Sequence, residues 1–138
     1  MCYSVEGILE HGRKETSVFS NTSLWNYLEQ VTDCLPGTQA KETIKIIKEA
    51  QKGNLGRSRV FIRLTLNEHT LPEYLKALVW NVTLTESYYR ESAIIRNEEY
   101  FITMLSLLES LHSIPFNFII KDKNLEDPEY WSKLIKKG

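Results

Sequence analysis

The sequence predicts an all-α fold, a globular bundle of about seven to nine helices. Apolar residues recur every three or four positions along most of the chain, and the alternation that marks strands is nearly missing. Segment after segment opens on a Ser, Thr, Asn or Asp and closes at a Gly or Pro, the punctuation of helices. At 138 residues, with 42% hydrophobic and 25% charged, the chain is long enough to bury a sizeable core.

Cys2 to His11 predicts the first helix, with Val5, Ile8 and Leu9 on one face and a stop near Gly12. Arg13 to Ser20 is a polar connection. Leu24, Trp25, Leu28 and Val31 restore helical spacing after Asn21-Thr22-Ser23, any of which can cap, and Leu35-Pro36-Gly37 ends that run. Thr38 then caps a helix to about Lys52, with Gly53 in the left-handed C-terminal position. Ile44, Ile46 and Ile47 face inward there, and Lys41, Lys45, Lys48 and Lys52 form a basic stripe.

Gly56 to Glu68 is the hub. Val60, Phe61, Ile62, Leu64 and Leu66 make it apolar on nearly every side, as in a helix enclosed by others. Arg59 and Arg63 share one of its faces, with Arg57 just before them. A buried arginine needs a partner, so this face either meets carboxylates from within the fold or stays open for another molecule. Arg63, deep in the apolar run, is expected to clamp a buried Glu, and Arg57 to be exposed and available. Arg59 is compatible with either role. His69 reads as a corner residue before Thr70-Leu71-Pro72-Glu73, a capping box for a helix with Leu71, Tyr74, Leu75, Leu78 and Val79 inward.

After Trp80-Asn81-Val82, a second capping box, Thr83 to Glu86, opens a short helix carrying Tyr88 and Tyr89. One turn follows with Ala93, Ile94 and Ile95 inward. Asn97 caps a long helix from Glu98 to about Ser113, with Glu98 and Glu99 where the dipole favours them. Its stripe is Phe101, Met104, Leu105, Leu108 and Leu111, widened by Ile102 and Leu107. Pro115 stops it, and Phe116 to Ile120 is extended or a single turn. Asp127-Pro128 starts a last helix with Tyr130, Trp131, Leu134 and Ile135.

A net charge of -1 argues against a nucleic-acid binder, which usually shows a basic excess. Two cysteines, Cys2 and Cys34, lack the spacing of a disulfide framework or zinc site. No apolar run approaches the roughly 18 residues of a membrane span, so a soluble cytoplasmic protein is expected. Asn21-Thr22-Ser23 and Asn81-Val82-Thr83 match the glycosylation triplet but read as chance matches. His11, His69 and His112 lie on different elements without metal spacing, and the glycines form no phosphate loop. No catalytic set, cofactor site or metal site is evident, so a non-enzymatic binding module is expected.

Several ordered blocks, from about Leu24 to Asp127, carry a family resemblance. They are Gly56-Arg57-Ser58-Arg59 with its apolar run, Arg63-Leu64-Thr65-Leu66-Asn67-Glu68, then Leu71 with Tyr74-Leu75. Tyr88-Tyr89, Glu98-Glu99, the Leu-rich helix from Met104 to Leu111, and Phe116-Asn117-Phe118 follow. Together they resemble RUN domains. The resemblance implies an effector or adaptor for a GTP-loaded small GTPase of the Rab, Arl or Rap kind, recruited to endomembranes within a larger protein of vesicle traffic, without a cofactor. Arg57, Arg59 and Arg63 occupy its basic positions, Lys76 stands one turn into the next helix, and Lys48 and Lys52 adjoin them. The overall similarity leans toward the RUN modules of DENN-domain Rab exchange factors. The abrupt start and the missing N-terminal lead-in suggest one RUN-like domain over residues 1–138, excised from a longer chain. Two other readings remain open: GTPase-independent docking of a motor, another protein or another domain of the same chain, and a lipid-surface module using Lys41, Lys45, Lys48 and the arginines.

Overall fold

A computed structural model of the chain describes residues 1–14 and 23–132. Among those residues lie eight α-helices, two 3-10 turns and one isolated bridge between Arg13 and Tyr89, so the fold is all-α. The helices are α1 (Cys2–Glu10), α2 (Leu24–Leu28), α3 (Val31–Cys34), α4 (Gln39–Ala50), α5 (Asn54–Asn67), α6 (Leu71–Val79), α7 (Val82–Tyr88) and α8 (Glu98–Ser110). The 3-10 turns are Ile94–Arg96 and Lys123–Glu126.

The helix that is apolar on nearly every side is also the one the others enclose. α5 packs against α1, α2, α4, α6 and the turn at Lys123–Glu126. Val60, Phe61, Ile62, Thr65 and Leu66 are buried along it. α6 follows through a tight corner with His69 at φ 58. The amide of Thr70 donates to the carbonyl of Thr65 (2.9 Å) and that of His69 to Leu66 (3.1 Å), the paired bonds of a Schellman motif. Leu71, Tyr74, Leu75, Leu78 and Val79 are then all buried, against α3, α7 and α8. Asn97 caps α8 through its side chain, which accepts from the Tyr100 amide.

Several boundaries differ from the sequence reading, each for a local reason. The expected helix from Leu24 to about Leu35 divides into α2 and α3, and the Gln30 amide bonds the Tyr27 carbonyl in a tightened turn between them. Ser23 is the residue that caps α2. Gly53 is no left-handed C-terminal residue: its φ is -97 and it stands at the N-cap of α5. A Cβ on Gly53 or Gly56 would collide with the carboxylate of Glu126, which lies over the α5 N-terminus. The box at Thr70 lacks its side-chain bond, and the cap of α7 is Asn81 rather than Thr83.

α8 ends at Ser110, well before Pro115, because its last turn tightens into i to i-3 bonds at Leu111 and His112. Its inward face is narrower than predicted. Ile102 and Leu107 point outward, Leu107 being 63% exposed, and Ile46 of α4 is exposed as well. Phe116 to Ile120 is neither helix nor strand, with a bend at Ile120. Asp127 caps the next turn by accepting from the Glu129 amide, and residues 130–132 are helical. Leu134, Ile135 and most of the connection expected up to Ser20 fall outside the described residues.

Phe61 is 0% exposed in the middle of the enclosed helix. Phe61→Ala should therefore leave a cavity costing about 3–5 kcal/mol, read as a lower melting temperature by circular dichroism. An unchanged melting temperature would place the ring at the surface.

A candidate interaction surface around the central helix

Arg59, Arg63 and Asn67 stand four residues apart and line one face of α5. Each is fixed by a different part of the segment that follows α8. The Arg59 side chain is 4% exposed, and its Nε donates to Glu6 Oε1 on α1 at 2.8 Å. Its Nη1 donates to the carbonyls of Leu125 (2.9 Å) and Asp127 (2.7 Å). Glu6 is completed by Trp131, whose Nε1 donates to Oε2 at 2.6 Å. The Trp131 ring also lies over the Arg59 guanidinium at 5.2 Å.

One turn on, Arg63 Nη1 donates to the carbonyl of Ile119 (2.9 Å) and Nη2 to the Tyr130 hydroxyl (3.3 Å). The rings of Tyr130 and Trp131 cover it at 5.8 and 6.0 Å. Asn67 donates from Nδ2 to the Phe118 carbonyl (3.0 Å) and accepts from the Phe118 amide (2.7 Å), as a neighbouring strand would. Just before α5, Gln51 Nε2 donates to the carbonyls of Ile120 (3.1 Å) and Asp122 (2.8 Å). The Gly53 amide donates to Glu126 at 2.9 Å. Residues 116–131 thus form a strap across α5, gripped largely through its main chain.

The arginines therefore do not divide as expected. Arg63 is buried and clamped internally, but onto a carbonyl, a phenol and two rings. The buried carboxylate belongs to Arg59, because α1 crosses α5 at Arg59 and brings Glu6 there. Among the described residues Arg63 has no carboxylate at ion-pair distance, and its Nε finds no partner. Its charge partly offsets the effect of burial on Cys2, which still raises that thiol above its ordinary value and keeps it protonated.

Arg57 is half-buried rather than free. Its Nε donates to the Gln51 carbonyl (2.9 Å) and its Nη2 to Lys48 (3.4 Å), so the guanidinium closes the C-terminal end of α4. Lys76 pairs with Glu109 of α8 at 2.8 Å, and Lys48 with Glu29 at 3.6 Å. Lys41, Lys45 and Lys52 are exposed and make no ion pair among the described residues.

Sequence reasoning missed Glu6, Gln51, Asn67, Glu126 and Trp131 as parts of this arrangement. The extension of the arginine stripe to Asn67 was readable; the rest come from distant segments. His69 and His112, read as separate, meet edge to face at 5.4 Å. Among the described residues no group of three or more His, Cys, Asp or Glu could hold a metal ion. No helix described is long and apolar enough to cross a membrane.

Arg59→Ala should cost about 3–5 kcal/mol, because it strands the Glu6 carboxylate in the interior. Arg63→Ala strands no carboxylate and should cost less, about 1–3 kcal/mol for the acceptors it abandons. Denaturant unfolding of the two variants checks the order, and a reversed order would assign the central ion pair wrongly.

The family model for the RUN domain matches residues 1–122, which include α5 and the first part of the strap. Protein RUFY3 of Rattus norvegicus is 34% identical over 126 residues, covering 88% of this chain and 26% of that protein. RUN and FYVE domain-containing protein 2 of Homo sapiens is 29% identical over 126 residues, 88% of this chain and 20% of that protein. Pleckstrin homology domain-containing family M member 2 of Homo sapiens is 36% identical over 98 residues, 70% of this chain and 10% of that protein. The chain thus spans about a quarter or less of the length of these relatives. None of the three is named for a DENN domain, so the lean toward such a carrier gains nothing from them. With its arginine block set in an all-α fold and matched by the family model over most of its length, the chain belongs to the RUN domain family.

Proposed function

We propose that this RUN domain is a non-enzymatic interaction module that binds a GTP-loaded small GTPase of the Rab, Arl or Rap type and serves as an adaptor on endomembranes. The observation that carries the reading is how its cations are distributed. Arg59 and Arg63 are used inside the fold, whereas Lys41, Lys45 and Lys48 lie exposed along α4 and Lys52 lies exposed just past its end. Arg57 continues the cluster at the end of that helix. This outer basic surface complements the acidic groups that switch regions often present, and such complementarity speeds association more than it deepens affinity. Lys76, held by Glu109, stands outside this surface. The protein would be cytoplasmic and reach a membrane through its partner.

A second reading has its own support. An apolar groove between α1 and α8, lined by Ile8, Ile94, Tyr100, Thr103, Met104 and Leu107, carries no charged side chain. Docking there would favour a GTPase-independent partner, and dependence on nucleotide separates the two readings.

The test uses a panel of purified Rab, Arl and Rap GTPases, each loaded with non-hydrolysable GTP or with GDP. The wild-type domain should bind at least one GTP-loaded member and leave its GDP form unbound. Lys45→Glu with Lys48→Glu and Lys52→Glu should slow association about tenfold or more. The melting temperature should stay near wild type, since exposed sites cost little. Unchanged association by a folded triple variant would move the contact off α4, and binding indifferent to nucleotide would favour the groove.

A further inference from the structure

The strap is held as a bound peptide is held. Asn67 makes both hydrogen bonds to the main chain of Phe118, and Arg63, Gln51 and Arg59 donate to the carbonyls of Ile119, Ile120, Asp122, Leu125 and Asp127. Along residues 116–121, Phe116, Phe118 and Ile120 are partly buried, while Asn117, Ile119 and Lys121 are exposed, Ile119 at 70%. That is the period of two expected of a strand seated in a groove, with main-chain bonds supplying affinity and alternate side chains specificity. Residues 112–115, which lead into the strap, are all exposed.

We infer that the α5 face is a peptide-binding groove, filled here by the chain's own residues 116–127, and that a second copy of the chain can fill it with the same segment. The exchange needs no new contact, because a second copy presents identical residues to an identical groove. The exposed connection at 112–115 is where the chain would change direction. Within one chain the strap competes at a high effective concentration, on the order of millimolar or above, so exchange shows itself when the chain is crowded or its own strap is weakened. This surface is independent of the α4 cations and stands or falls separately from GTPase binding.

The probe is a fluorescently labelled peptide of residues 114–132, titrated by anisotropy into the intact chain. Phe118→Ala weakens the resident strap by removing a ring that packs against the apolar core, while leaving the main-chain bonds in place. That variant should bind the peptide at least about tenfold more tightly than the wild-type chain. Adding Asn67→Ala should erase the gain. Wild-type chain refolded at about 1 mM should yield a dimer by sedimentation that returns slowly to monomer on dilution. Circular dichroism establishes that each variant is folded. Failure of the folded Phe118→Ala chain to bind the peptide overturns the groove. Peptide binding without any dimer from the concentrated chain overturns exchange between copies.

Discussion

The Arg59–Glu6 pair is the contact on which the rest of the molecule closes. A guanidinium taken out of water must have its donors satisfied, and a buried carboxylate must have its charge met. Both demands are answered here from parts of the chain far apart in sequence. α5 supplies Arg59, α1 supplies Glu6, and the strap supplies two carbonyls and the indole of Trp131. None of these groups is satisfied unless α1, α5 and the strap are all in place. The pair therefore acts less as a source of net stability than as a condition on how the ends of the chain meet its middle.

Arg63 and Asn67 extend the same logic along the helix. An enclosed helix normally carries only apolar residues, and α5 departs from that on one stripe. The departure is what lets an irregular segment lie against a helix without orphaned carbonyls, a standing problem for any loop covered by other parts of a fold. The same stripe settles which cations remain for other molecules. With its arginines turned to internal carbonyls, the domain leaves its lysines on α4 to meet solvent.

Much of the fold was legible because local signals agreed with the global outcome. The enclosed character of α5, the whole inward face of α6 and the Asn97 cap follow from spacing and capping chemistry alone. The misjudged positions, Ile46, Ile102 and Leu107, were apolar residues at the edges of a stripe, where periodicity cannot decide how wide the buried face is. The surroundings of the arginines were legible in part. That a buried arginine needs a partner was readable; that Glu6 serves Arg59 rather than Arg63 depends on where α1 crosses α5. The main-chain acceptors of the strap leave no mark in side-chain sequence at all.

The most direct measurement is a double-mutant cycle on the central pair, with Arg59→Met and Glu6→Leu made singly and together and unfolding followed in denaturant. If the pair is the condition for closure, each single substitution strands a buried partner at about 3–5 kcal/mol, and the double variant loses far less than the sum. Coupling of about 2 kcal/mol or more is the expected result. Costs that add to within about 0.5 kcal/mol would show that Arg59 and Glu6 act independently, and that α1, α5 and the strap are joined by something else.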